Sequence, residues 1–144
     1  YKKYEHPALF TVDEAEKIDV TIPGLHCKNL FLKDKKGKYF LFSTLAKKEI
    51  DIKLLRRKIG CAGLSFASAD RLKEILDLSP GSVCPFGLMN DKDNKVTMVL
   101  DKDLVGQDIV NFHPLINTAT IGISSDDLLK FIKYTSNDFM EVEI

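Results

Sequence analysis

The sequence predicts a mixed α/β domain: a mixed, largely antiparallel sheet with flanking helices. Two observations carry this. Segments with helical spacing and segments rich in branched and aromatic residues interleave along the chain, but without a strict βαβ rhythm. A strand–turn–strand pattern near the start, "KNLFLKDKKGKYFLFST", also predicts a hairpin and hence antiparallel pairing. The 144 residues suffice for one domain with its own core, and 44% hydrophobic with 29% charged residues is ordinary globular composition. Residues 1–144 are therefore read as a single domain without repeats, linkers or low-complexity stretches.

Taken in order, "TVDEAEK" opens with Thr11 and carries Glu14 three places on, the capping-box spacing of a short helix. Pro23 and Gly24 then break the chain. The two hairpin strands follow, with "KKG" as their turn. "DIKLLRRKIG" puts Ile52, Leu55 and Ile59 on one helical face and stops at Gly60. In "SADRLKEILDL", Ser68 is the N-cap and Leu72, Ile75 and Leu76 point inward. A turn from Asn90 to Asn94 leads to the strand "KVTMVLD". "QDIVNFHP" and "TATIGIS" read as two more strands. "SSDDLLKFIKY" is a helix capped by Ser124 or Ser125, and "DFMEVEI" a final strand. The opening "YKKYEHPALF" reads as the middle of a structure, so a preceding segment is expected.

No apolar run approaches the length of a membrane span, and no signal-peptide pattern stands at the start. Cys27, Cys61 and Cys84 are odd in number and widely spaced, without a CxxC pair. Reduced thiols, a cytoplasmic setting and no metal site follow from that pattern. The formal net charge is zero, but its distribution is uneven. Residues 28–58 hold eleven basic and three acidic side chains, whereas residues 74–144 hold five basic and twelve acidic. A basic face able to hold a phosphate backbone is the functional reading, and a solvated lysine-rich surface the plain one. Its residues are Lys33, Lys35, Lys36 and Lys38 around the hairpin turn, with Arg56, Arg57 and Lys58 at the end of the next helix.

No Ser–His–Asp arrangement or G-x-S-x-G elbow is present. Cys84 with His113 as base is a formal nucleophile pair, although nothing near Cys84 would depress its pKa. Three features are worth weighing. Lys28-Asn29 starts an apolar strand, as a rim cation or as a snorkelling surface lysine. His113-Pro114 ends another strand, as a site residue or as a simple corner. Third, "LSPGSVCPFGLMND" concentrates Gly81, Pro85 and Gly87 in one stretch. It is either a plain helix stop or a shaped loop whose amides face a ligand.

Together, "EHPALFTVDEAE", "IPGLHCKNLFLKDKKGKYFL", "LSFASADRLKEILDLSPGSVCPFGLMND", "MVLDKDL" and "FHPLINTATIGISSDDLLKFI" resemble the freestanding prolyl-tRNA editing domains. These form the PrdX and ProXp-ala branch of the YbaK/aminoacyl-tRNA deacylase superfamily. The resemblance runs over nearly the whole chain. The family usually carries a further helix before "YKKYEHP", which this sequence lacks.

The resemblance implies a YbaK-like fold and hydrolysis of mischarged aminoacyl-tRNA(Pro), most of all Ala-tRNA(Pro), without a cofactor. The family's G-x-x-x-P loop falls on Gly81–Pro85, so that Gly81, Ser82, Val83, Cys84 and Pro85 would hold the aminoacyl carbonyl. Its lysine falls on Lys28, beside Asn29, and its histidine on His113. Phe10, Thr11 and Asp13 are candidates to line the amino-acid pocket, although packing of the first helix explains them equally well. An aminoacyl ester is already activated, so orientation and oxyanion stabilisation suffice without a side-chain nucleophile. The implied partners are tRNA(Pro) and prolyl-tRNA synthetase. A non-catalytic tRNA- or synthetase-binding module, or an editing appendage of the synthetase, are the alternatives.

Overall fold

The computed structural model describes residues 2–5, 24–112 and 119–144. The capping-box helix expected near Thr11 lies outside them, as do Phe10, Asp13 and His113. The described strands are β1 (Lys2–Glu5), β2 (Leu25–Lys33), β3 (Tyr39–Leu45), β4 (Ser65–Phe66), β5 (Val96–Asp101), β6 (Val110–Phe112), β7 (Ala119–Ile123) and β8 (Phe139–Val142). The helices are α1 (Ile52–Ile59), α2 (Ala69–Leu76) and α3 (Ser125–Thr135).

The strands form one mixed sheet in the order β1-β7-β6-β2-β3-β5-β8, with β4 paired to β2 outside that path. Four pairings are antiparallel and three parallel, so the expected mixture holds with a larger parallel share. The parallel pairs are β2–β6, β3–β5 and β5–β8.

Helices cover both faces. Leu72, Ile75 and Leu76 of α2 join Leu128 and Ile132 of α3 over Phe31, Leu41, Met98 and Leu100. On the other face Leu55 of α1 packs with Leu32, Phe40, Phe42 and Val99. Central strands buried on both faces need apolar residues at consecutive positions, and for that reason β3 reads "YFLF" rather than alternating. The helix ends obey their sequence signals. Asp51, Ser68 and Ser124 each accept an N-terminal N–H, and Gly60 ends α1 at φ 82°.

One strand organises the rest. β3 pairs with β2 over Cys27–Lys33, closing that edge. The opposite edge of β2 is shared: β6 takes Leu25 and His26, and β4 takes Leu32 and Lys33. Between them no described strand covers Lys28–Leu30, so the sheet splits along β2. The β6 side of the split is held by close approach. Asn111 Nδ2 donates to the Leu25 carbonyl at 3.2 Å. Gly24 has φ +101°, and a Cβ there would come within 2.6 Å of Ile109 Cγ2 and 3.0 Å of Asn111 Nδ2. Only glycine fits both the dihedral and the space.

Candidate active site

The glycine- and proline-rich stretch packs over the split as two 3-10 turns, Pro80–Ser82 and Pro85–Asn90. Prolines start both turns, where a missing N–H costs nothing. Asn29 fastens this loop to the sheet. Its Nδ2 donates to the Val83 carbonyl at 3.0 Å, and its Oδ1 accepts from the Ser43 hydroxyl. Ser43 sits opposite Asn29 in the β2–β3 register and is fully buried. Asn29, the substrate-binding candidate, thus makes one amide bond to the loop and one to the neighbouring strand. Ser43 carried no signal in the sequence beyond its place in an apolar strand.

Phe86 anchors the loop at its far side. Its ring lies edge-on to Phe131 of α3 at 5.3 Å and to Phe112 of β6 at 6.3 Å. Phe112 is the last described residue before His113, so the strand end leading to that histidine packs directly on the residue after Pro85.

The loop residues have different roles. Cys84 is fully buried in the main core and Pro85 is buried with it. The Cys84 thiol therefore packs against neighbours and offers no accessible nucleophile. Ser82 is 6% exposed, and its N–H is spent on the Ser79 carbonyl at 2.9 Å. Val83 is half-buried, and Gly81 is exposed. The Ser82 amide is thus committed within the turn. The Gly81 N–H, at the open start of its turn, enters no hydrogen bond among the described residues. Gly81 is also absent from the positive-φ glycines, so the backbone does not demand glycine there. A side chain at this position would stand beside that donor.

Lys28 lies on the other face of the sheet from Asn29, as successive strand residues must. It pairs across from Thr44, and its Nζ donates to the Lys48 carbonyl. Thr44 and Lys48 both reach Asp101, which is 1% exposed: the Thr44 hydroxyl at 2.7 Å and Lys48 Nζ at 2.7 Å. Lys48 also pairs with Asp103 at 2.7 Å. Burial works against the Lys48 ammonium, but hydrogen bonds and attraction from Asp101 and Asp103 prevail and hold its pKa above the ordinary 10.5. The structure therefore brings Asn29, Val83 and Gly81 together, and places Lys28 across the sheet at the same uncovered edge.

The basic residues separate as well. Lys33 and Lys35 line a cleft of about 590 Å³ beside the hairpin turn, together with Arg71, which the sequence reading missed. In "SADRLKEIL" Arg71 looks like one more charge on a solvated helix face. Lys36 and Lys38 are exposed in the turn, where their N–H groups cap Asp34 Oδ1. Arg56, Arg57 and Lys58 end α1, on the opposite side of the sheet from α2.

The aminoacyl-tRNA editing domain family matches this chain over residues 6–131. The chain belongs to that family. The prolyl-tRNA editing protein ProX of Acetoanaerobium sticklandii is 43% identical over 145 residues, covering 100% of this chain and 88% of the relative. The prolyl-tRNA synthetase associated domain-containing protein 1 of Bos taurus is 40% identical over 93% of this chain and 81% of its own length. Among solved structures, a candidate trans-editing enzyme for prolyl tRNA synthetase shares the fold at TM-score 0.74. It is 24% identical, over 99% of this chain and 86% of that one. Among the described residues of this editing-family chain, no helix is long and apolar enough to cross a membrane.

Two outcomes are expected of this arrangement. Asn29→Asp would set a carboxylate oxygen against the Val83 carbonyl, at a cost of about 1–3 kcal/mol. Amide hydrogen exchange should then quicken across residues 80–86 and not in α1; unchanged exchange would mean the loop does not depend on Asn29. Lys48→Met would leave the Asp101 carboxylate buried without its cation, costing about 3 kcal/mol in urea unfolding. Because the folded pKa of Lys48 is raised, its stabilisation is complete below pH 10.5 and is lost as pH rises through the raised value. The wild type should lose this increment in strong alkali and the variant should not.

Proposed function

We propose that the protein is a trans-acting deacylase that hydrolyses mischarged tRNA(Pro), removing alanine. The observation that carries this is the Gly81 N–H, which enters no hydrogen bond among the described residues, on a loop clamped by Asn29 beside the split in the sheet. Membership of the editing family and the ProX relative support the same reading.

Water attacks the ester carbonyl and forms the new C–O bond, and the Gly81 N–H receives the developing oxyanion. The tetrahedral intermediate then breaks its bond to the ribose oxygen. That oxygen recovers the proton given up by water, and free alanine leaves. The neighbouring ribose hydroxyl helps to orient the water, so no side-chain nucleophile is required.

Lys28 takes the terminal phosphate as a point charge once it leaves the Lys48 carbonyl and turns around the edge of β2. His113 orients the ester. Phe10, Thr11 and Asp13 line a pocket sized for alanine, which excludes proline sterically. Such exclusion exceeds the roughly 1–3 kcal/mol that one methylene contact provides. The setting is cytoplasmic. Association with prolyl-tRNA synthetase is the second reading, favoured by the name of the bovine relative.

Gly81→Ala gives the direct test. The turn's backbone accepts alanine without strain, so the variant should fold normally and lose about 10²–10³-fold in single-turnover deacylation. Lys28→Ala should lose activity with an unchanged melting temperature. Wild-type rates in both variants would remove loop and lysine from the chemistry together.

A further inference from the structure

The cleft beside the hairpin turn has the properties of a prepared anion site. Lys33 and Lys35 come from the end of β2 and the turn, and Arg71 from the first turn of α2. Lys35 is held in place: its N–H donates to the Ala62 carbonyl at 2.8 Å, and its stem lies across Gly63. A Cβ on Gly63 would come within 2.8 Å of Lys35 Cγ, and Gly63 has φ +71°, so glycine makes room for the lysine. The one acidic lining residue, Asp34, is 7% exposed. Its Oδ1 accepts the Lys36 and Lys38 N–H groups, both at 2.9 Å, which directs its charge into the turn. Arg71 pairs with Glu74 at 2.9 Å, but both side chains are more than half exposed, so a phosphate can displace that pair. Tyr39 stacks on Phe31 at 5.4 Å and fixes the floor beside Lys33.

The position of the cleft supplies the ligand. Lys33 is on the same face of β2 as Asn29, about 13 Å further along the strand. Asn29 carries the loop that offers the Gly81 donor. A nucleic-acid strand whose terminal ribose lies at that loop covers this distance within a few nucleotides. We propose that the cleft holds backbone phosphates of the single-stranded 3′ end of the substrate RNA, with Lys33, Lys35 and Arg71 as ligands. The direction of the strand rests on the deacylase reading; the phosphate chemistry does not. Such contacts set affinity and register without reading sequence. Arg71 is suited to a bidentate grip, and the lysines act as point charges. Arg56, Arg57 and Lys58, across the sheet, take no part.

The test uses a short, uncharged single-stranded RNA, with binding followed by fluorescence anisotropy across a salt series. Each lost phosphate contact should lower the slope of log K against log salt by roughly 0.7, so a Lys33→Gln, Lys35→Gln, Arg71→Gln triple variant should lose about two units. Lys92→Gln, an exposed lysine in the turn before β5, should keep the wild-type slope. With charged tRNA the triple variant should raise KM and leave kcat unchanged. With the alanyl ester of adenosine, which has no upstream phosphates, it should match the wild type. RNA binding with the expected slopes but no hydrolysis of charged tRNA supports the phosphate cleft and overturns the deacylase reading alone. A folded triple variant with an unchanged slope, or a wild type that binds no RNA, overturns the cleft.

Discussion

The structure depends on the unequal pairing of β2. One edge is closed along Cys27–Lys33 by β3, while the other is divided between β6 at its start and β4 at its end. A strand left uncovered in mid-length presents polar backbone that another element has to cover. Among the described residues no strand does so, and beside that stretch the Asn29 side chain fastens a loop through the Val83 carbonyl.

The Asn29–Ser43–Val83 contacts make that arrangement rigid. A side-chain amide that both donates and accepts inside the protein fixes a loop more firmly than apolar packing, because either end left unmade is costly. Phe86 completes the support by edge-on contact with Phe112 and Phe131. Across the sheet, Lys48 binds β5 to the turn after β3 through Asp101, and that turn offers the carbonyl that holds Lys28. The two faces thus meet at one uncovered stretch of β2, with a clamped loop on one side and an anchored cation on the other.

Much of this was legible in the residues. Caps at Asp51, Ser68 and Ser124 and the left-handed Gly60 are local signals, and local chemistry sets them. β1 and β4 were missed because strands of four and two residues carry no periodicity, and only tertiary pairing defines them. The loop stands out in the sequence as a run of amides around Gly81; in the fold Ser82 spends its N–H on the Ser79 carbonyl and Pro85 has none. Whether a donor is free depends on turn geometry, which composition does not encode. The basic stretch of residues 28–58 looked like one face, but alternation along β2 and the placement of α1 divide it between two sides of the sheet. Arg71 escaped notice since it falls outside the basic run of residues 28–58, while its neighbours in space are Lys33 and Lys35.

The central claim is that this loop positions an activated ester and that pocket size, rather than side-chain chemistry, decides which ester is cleaved. The most direct measurement is single-turnover hydrolysis of tRNA(Pro) charged in parallel with alanine and with proline by the wild-type protein. The account predicts rapid release of alanine, with proline lost no faster than in buffer. Equal hydrolysis of both, or of neither, would contradict it.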